Sequence, residues 1–247
     1  GTATSVEMLK ARAIVVATGA HERSLPFRGW QKPGVVTPGC ALHLATIDRV
    51  PIGRRVIVGG TGPFLLPVAC ALVELGVRVV AVVEANRPYR PYGAALTAAR
   101  YPAKLRELAG YVGRLARARV PVLHGWLVSE ASGHGKVERV TLRNRRSGRL
   151  RTLDVDAVAV AYGFRPNIEL ALLLGVPGSL DGRTHEPVLE RTLEGRTAVP
   201  GVYVAGEVAG VAGAQAAEVR GELVASAVAY NLSPVVTIGK PLPATRL

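Results

Sequence analysis

Apolar runs bounded by glycine and proline dominate the chain, and their lengths separate strands from helices. Residues 11–17 (ARAIVVA) form a short, β-branched run that stops at Thr18-Gly19-Ala20, the pattern of a buried strand entering a tight turn. Pro26, Gly29, Pro33, Gly34, Pro38 and Gly39 then interrupt a stretch without regular period. Residues 55–59 read as a strand, Gly60-Thr61-Gly62-Pro63 as a turn, 64–75 as a helix stopped by Gly76, and 77–83 as another strand, which together make a β-α-β unit. Pro67, inside that helix, is expected to remove one backbone bond and bend it slightly. Pro102 is placed to open a further helix. Leu105, Leu108, Val112 and Leu115 form its apolar stripe and turn Lys104, Arg106, Arg114 and Arg117 toward water.

Downstream, residues 120–123, 126–130, 137–142 and 150–154 alternate like antiparallel strands, with Gly133-His134-Gly135 and Arg146-Ser147-Gly148 as turns, so a meander is expected. A fully apolar strand, 157–161, runs into Tyr162-Gly163-Phe164-Arg165-Pro166-Asn167. A short helix over 169–174 is then capped by Gly175. Residues 201–205 form a last strand that ends in Gly206-Glu207, followed by a Gly/Ala-rich turn, a helix from about 214 to 230, and an irregular tail.

Composition narrows the picture. With 247 residues, 49% apolar and 20% charged, the chain fills an ordinary core for one large or two modest domains, which excludes disorder, collagen and a disulfide mini-scaffold. Cys40 and Cys70 have no metal-ligand or C-x-x-C spacing, and the five histidines lie apart, so no metal site is drawn. A reducing, cytoplasmic setting is the simple reading. Residues 56–73 carry no charge and imitate a membrane span in length, but Gly59, Gly60, Gly62 and Pro63 would break a helix there, so no transmembrane segment is expected.

The net charge is +13, and residues 87–151 account for nearly all of it, with fifteen Lys and Arg against three acids. The stretch reads first as a solvated face and second as a docking surface for an acidic partner subunit or an anionic membrane surface. Nucleic-acid binding is not expected, because no recognised module accompanies the charge and aromatics make up only 5% of the chain.

Two constellations carry chemistry. Gly60 and Gly62 lie where a strand turns into a helix, and Glu84, 24 positions after Gly60, ends the following strand. This spacing suits a dinucleotide: one glycine for the tight turn, the next for close approach of a pyrophosphate, and an acid for the ribose hydroxyls. A carboxylate at Glu84 disfavours a 2′-phosphate, a preference that Arg87 and Arg90 soften. Leu65 at the third glycine position and Pro63, which lacks an N–H, depart from the pattern. The second constellation is Gly206-Glu207 after a buried strand. Its acid suits a ribityl hydroxyl, and the amides around Gly213, Ala214 and Gln215 suit negative charge on a reduced flavin ring.

The set Ala17-Thr18-Gly19, Gly60-x-Gly62, Gly163-Phe164-Arg165-Pro166-Asn167 and Val202-Tyr203-Val204-Ala205-Gly206-Glu207 resembles the FAD/NAD(P)-dependent flavoproteins of the pyridine nucleotide-disulfide oxidoreductase class. Within it, Pro26-Phe27-Arg28-Gly29-Trp30, Pro33-Gly34-Val35-Val36-Thr37 and Gly62-Pro63-Phe64-Leu65-Leu66 are most similar to the larger subunits of opine oxidases, hydrogen cyanide synthase and dye-linked proline dehydrogenases. The resemblance implies an α/β fold of the two-dinucleotide-binding-domain type. A Rossmann-like NAD-type domain with a β-meander, 50–165, is inserted into a partial FAD domain made of 1–49 and 166–247. It implies flavin contacts at Thr18, Gly19, Gly206 and Glu207, and nucleotide contacts at Gly60, Gly62, Glu84 and Gly163. Members open with a glycine-rich FAD turn that is not found here, so the chain reads as an excerpt.

The implied function is that of one subunit of an FAD-dependent oxidoreductase acting on a small amine or amino acid. A partner subunit goes with it, and NAD or another adenine nucleotide occupies the second site. The alternative is a non-catalytic scaffold that binds NAD or ATP. No general base is assigned, and disulfide reduction is not expected, because no paired cysteines lie near either motif.

Overall fold

The computed structural model describes residues 8–87, 102–182 and 185–232. Arg90 and the proline-containing tail beyond residue 232 lie outside them. The chain divides into two compact units, one made of residues 1–21 and 164–247, the other of residues 22–163.

In chain order the elements begin with β1 (Ile14–Val16) and β2 (Ala20–Glu22), followed by β3 (Val35–Val36) and helix α1 (Pro38–His43). Then come β4 (Arg55–Gly60), α2 (Leu65–Glu74), β5 (Arg78–Glu84) and α3 (Pro102–Arg117). They continue with β6 (Val122–His124), β7 (Trp126–Ser132), β8 (Arg139–Asn144), β9 (Leu150–Asp154) and β10 (Ala157–Ala161). The return segment holds β11 (Phe164–Pro166), α4 (Glu169–Leu173), β12 (Gly178–Leu180), β13 (Pro187–Leu189), β14 (Val202–Val204), a 3₁₀ turn (Gly206–Ala209) and α5 (Ala214–Leu232).

The unit spanning 22–163 is built on a parallel sheet of five strands in the order β3-β10-β4-β5-β6. Strand alternation sends side chains to two cores. Val56 and Val58 of β4, with Ala157 and Ala159 of β10, meet α1 and α2 through Ala41, Val68, Ala69 and Leu72. Ile57, Val158 and Val160 point the other way, onto Val128, Val140 and Leu142 of the antiparallel sheet β7-β8-β9. A strand buried on both faces explains the unbroken apolar runs at 56–60 and 157–161. In β5 the register shifts between the Val56↔Val79 and Ile57↔Ala81 pairs, an extra residue that lets Val79 and Val82 face the helices while Ala81 and Val83 face the meander.

Residues 22–48 belong to this unit for specific reasons: Ala41 and Ala45 sit in the helix-side core, Val35 packs against the meander-side core, and the Glu22 carboxylate accepts from the Gly39 N–H at 2.7 Å. The compact unit therefore begins near residue 22, upstream of the boundary expected at 50. The stretch that imitates a membrane span folds as β4, a turn and α2, and among the described residues no helix is long and apolar enough to cross a membrane.

Three local expectations change. Residues 122–124 leave the meander and join the parallel sheet beside β5, because β6 follows a helical crossover and not a hairpin. Pro67 is the third residue of α2, where its missing N–H would have had no intrahelical acceptor, so no bond is lost. Of the stripe on α3 only Leu115 is buried; Leu105, Leu108 and Val112 remain exposed, and Arg114 pairs with Glu74 at 2.9 Å.

In the other unit β1 and β14 pair in parallel, with Val16 opposite Val204. Val202 and Val204 pack on Val16, Ile168 and Leu189, while Tyr203 and Ala205 face Val224 and Ala227 of α5. β2 pairs with β11, and β12 pairs with β13 in antiparallel fashion. Ile14 and Val15 of β1 stay 44% and 45% exposed, so the strand expected to be buried is buried only at Val16.

Candidate functional site

Each unit carries one constellation at the C-terminal ends of its parallel strands. In the unit spanning 22–163, β10, β4 and β5 lie side by side, and the register Ala161↔Gly60↔Glu84 lines up their last residues. The crossovers through α2 and α3 lead away from β4 toward β6, whereas β10 lies on its other side. The strand order therefore reverses at β4, which is where open α/β sheets bind ligands.

The two glycines of the turn have different reasons. Gly60 has φ +138°, and a Cβ there would overlap the Ala161 carbonyl oxygen of the neighbouring strand. Gly62 has φ +98° and nothing within 4 Å of the place a Cβ would take, so open space lies against its backbone. Gly163, with φ +100°, lies beside the turn; a Cβ there would make only ordinary contact with Thr61 Oγ1, at 3.8 Å.

Glu84 does not stand free toward a ribose. Its Oε2 accepts from Gly62 N–H and its Oε1 from Asn86 N–H, both at 2.8 Å. Thr61 N–H donates to Ala161 O at 3.1 Å, Leu65 N–H donates to Gly62 O at 3.4 Å, and Pro63 has no N–H to offer. The carboxylate thus serves as the turn's own anion, and a pyrophosphate approaching Gly62 has to displace it.

The other unit brings together every residue expected to face a flavin. Because β1 and β14 are neighbours and Ala205 N–H donates to Val16 O at 3.0 Å, Thr18-Gly19 and Gly206-Glu207 leave adjacent strands at the same end. Thr18 Oγ1 donates to Asn167 O at 2.6 Å and Asn167 N–H donates to Gly19 O at 3.0 Å, which ties the first turn to the segment after β11. Half-buried Glu207 accepts from Gly213 N–H at 3.1 Å through Oε1. Gly213 immediately precedes the exposed start of α5, where Ala214 and Gln215 have first-turn N–H groups without intrahelical acceptors. Gly19, with φ +72°, and Gly213, with φ +91°, have no atom within 4 Å of a notional Cβ. A carboxylate with lone pairs to spare and an open helix start fit the ribityl chain and ring of a flavin.

Two arginines that sequence reasoning missed shape this loop. Arg191 donates through Nε and Nη2 to Ala209 O, at 3.2 and 2.8 Å, and Arg220 of α5 donates to the carbonyls of Gly206 and Gly210. Burial, and then the neighbouring Arg220 guanidinium, lower the pKa of Arg191 from its ordinary value. No short-range spacing links residue 191 or 220 to the Gly206 turn, so only the folded chain reveals them.

Both cysteines are free thiols; Cys40 is exposed and Cys70 is buried in the helix-side core. Burial pushes the Cys70 thiol up, with Arg114 opposing and Glu74 adding to the shift, so it stays protonated at neutral pH. A thiol reagent is expected to modify Cys40 in the native protein and Cys70 only after denaturant is added. Two rapidly modified thiols under native conditions would contradict this packing. Among the described residues no three His, Cys, Asp or Glu gather as metal ligands.

Comparison with known proteins agrees with the fold. The profile of the pyridine nucleotide-disulphide oxidoreductase family matches residues 2–229. One of the opine oxidase subunits of Agrobacterium tumefaciens is 36% identical over 245 residues, covering 95% of this chain and 46% of that protein. The HcnB subunit of hydrogen cyanide synthase from Pseudomonas aeruginosa is 34% identical over 226 residues, covering 86% of this chain and 47% of that protein. The chain thus spans about half the length of the curated relatives it matches.

Among solved structures, an FAD-dependent pyridine nucleotide-disulphide oxidoreductase from Desulfovibrio vulgaris aligns with a TM-score of 0.66 at 25% identity, over 92% of this chain and 56% of that one. L-proline dehydrogenase from P. horikoshii shares the fold, with a TM-score of 0.60 at 22% identity, over 90% of this chain and 35% of that one.

Proposed function

The chain belongs to the pyridine nucleotide-disulphide oxidoreductase family, and on that premise we propose that it is part of one subunit of an FAD-dependent oxidoreductase that oxidises an amine or amino acid. The names of its relatives, which belong to opine oxidase and to hydrogen cyanide synthase and are each called subunits, support both the substrate class and a partner subunit. The observation that carries the reading is Glu207 beside the open start of α5, at the joint end of β1 and β14. Among the described residues the sheet formed by β1 and β14 has two strands, with Ile14 and Val15 exposed, which supports the reading that further strands complete it in the whole protein.

When bound, FAD supplies the chemistry by accepting two electrons from the substrate. Glu207 would hold a ribityl hydroxyl, its carboxylate being the acceptor beside Gly213. The first-turn N–H groups of α5, at the positive end of the helix, would face the flavin ring and favour negative charge on it. Thr18 and Gly19 line the other side of this end, and Arg191 and Arg220 keep the Gly206 turn in shape. No side chain is assigned as a base.

The test is the visible spectrum of the intact protein, followed by anaerobic addition of opines and amino acids. A flavin spectrum bleached by one of them supports the reading, and a flavin that none of them reduces refutes the substrate class. Glu207→Ala is expected to lower bound flavin several-fold, read as the ratio of flavin to protein absorbance. An unchanged ratio removes Glu207 from the site.

A second reading, a nucleotide-binding scaffold without catalysis, rests on Leu65 and Pro63, which depart from the dinucleotide pattern in the turn after β4. Saturable binding of NAD or ATP without a flavin spectrum would decide for it.

A further inference from the structure

The apolar residues of α3 fall into two groups. Tyr111 and Leu115 join the helix-side core, and Leu115 is buried there. Leu105, Leu108 and Val112 lie further round the helix and remain 42%, 41% and 51% exposed. Ala109 and Ala116 continue their line and are exposed as well. At 3.6 residues per turn these five positions fill one arc about 100° wide and about 17 Å long. It is the apolar face of an amphipathic helix, turned aside from the core. From residue 102 to 110 every described position is exposed, so the first half of α3 stands clear of the sheet and its other helices.

The charges on α3 are sorted around this arc. Residues 102–119 hold five Lys and Arg and one acid, Glu107. By the helical period Glu107 lies on the opposite side from Leu105 and Val112, and its carboxylate accepts from the Tyr111 hydroxyl at 2.8 Å. Arg114, on the same side as Glu107, is held by Glu74 at 2.9 Å and lies 4.9 Å from the centre of the Tyr111 ring. Both acids are thus engaged away from the arc. Arg106 and Arg117 border it and are exposed, as is Arg119 past the end of the helix. None of these three has a carboxylate partner among the described residues.

We propose that this arc docks on an anionic lipid surface. Leu105, Leu108 and Val112 enter the headgroup layer, and Arg106, Arg117 and Arg119 meet the lipid phosphates and carboxylates. A basic helix with leucine on one face and low overall hydrophobicity is of the kind that lies in a membrane interface. It lies on the membrane and does not cross it, because among the described residues no helix is long and apolar enough to do so. Charge favours lipid over a second copy of the chain, since two such arcs face to face would set Arg106 and Arg117 of each against those of the other. Area favours lipid over an acidic protein. Five side chains on a convex helix offer no groove and less than the roughly 800 Å² per partner of a stable protein interface. A leaflet meets the arc and its flanking cations together, and their attractions add.

The experiment is flotation of the intact protein with vesicles of phosphatidylcholine alone and of phosphatidylcholine mixed with phosphatidylserine, at low and at raised salt. Binding to the anionic vesicles is expected to exceed binding to the neutral ones by about tenfold or more and to fall as salt is added. The triple variant Leu105→Gln/Leu108→Gln/Val112→Gln keeps every charge. It is expected to lose most of this binding with unchanged circular dichroism, because the three side chains are exposed. The double variant Arg106→Gln/Arg117→Gln is expected to weaken the preference for anionic vesicles several-fold. Undiminished binding by the triple variant shows only the diffuse attraction of a basic protein and overturns the proposal. An unchanged preference in the double variant overturns it too, as does failure of the folded parent to float with either vesicle. A parent dimer in light scattering that the triple variant dissociates shows a self-interface. Polyglutamate bound as tightly as the anionic vesicles, and released by the triple variant, shows an acidic protein partner. Either result overturns it.

Discussion

Gly60→Ala is expected to unfold the unit spanning residues 22–163 or bring it close to unfolding. The added Cβ would overlap the Ala161 carbonyl oxygen, a backbone atom with no rotamer to move, at a residue whose φ is already +138°. Relief requires β4 to draw away from β10. That breaks a register running from Ala157↔Val56 to Ala161↔Gly60 and the bond from Thr61 N–H to Ala161 O. A change of this kind belongs with the exceptional destabilisations of more than about 4 kcal/mol, against a whole-domain stability of about 5–15 kcal/mol. Urea denaturation reads it out, and a midpoint equal to that of the parent would mean that β4 and β10 do not meet as described.

Gly62→Val is expected to do the opposite: leave the fold standing and abolish nucleotide binding. Nothing lies within 4 Å of the notional Cβ, so the folded chain bears only the strain of φ +98° on a branched residue, of order 1–3 kcal/mol. The isopropyl group takes the open space beside the Gly62 backbone, through which a diphosphate would approach on the proposed reading. A hundredfold loss of affinity for an adenine nucleotide, worth about 2.7 kcal/mol, is the minimum expected. Titration calorimetry beside a denaturation curve separates the two effects. Undiminished affinity in a folded Gly62→Val protein would place the nucleotide elsewhere. The two variants together separate the two glycines, testing the neighbouring strand as the reason for Gly60 and a ligand as the reason for Gly62.

Much of this organisation was legible residue by residue. The helix expected over 64–75 is found at Leu65–Glu74 and the strand over 157–161 at Ala157–Ala161, because Gly76 and the glycines of the first turn stop their elements wherever the fold places them. Thr18, Gly19, Gly206, Glu207, Gly213, Ala214 and Gln215 lie at one end of a single unit. Less could be read where the answer depends on a distant partner. Leu105, Leu108 and Val112 have the period of a buried face and stay exposed, whereas the helix-side core takes Tyr111 and Leu115 from α3. Arg87, Arg145 and Arg146 read as members of a diffuse basic stretch, and only the folded chain, through the bond from Arg145 N–H to Gly125 O after β6, sets them around one cavity.

The chain by itself determined the elements, the turns and the family, because side-chain period, glycine φ and proline's missing N–H act within a few residues and are written in local order. The tertiary structure alone decided that Ala161, Gly60 and Glu84 end in line, that the Glu84 carboxylate closes its own turn, and that Arg191 and Arg220 brace the loop that carries Glu207. Those facts follow from which strands pair and how far a side chain reaches across them. Such contacts join residues 14 to 101 positions apart, and no local pattern encodes them.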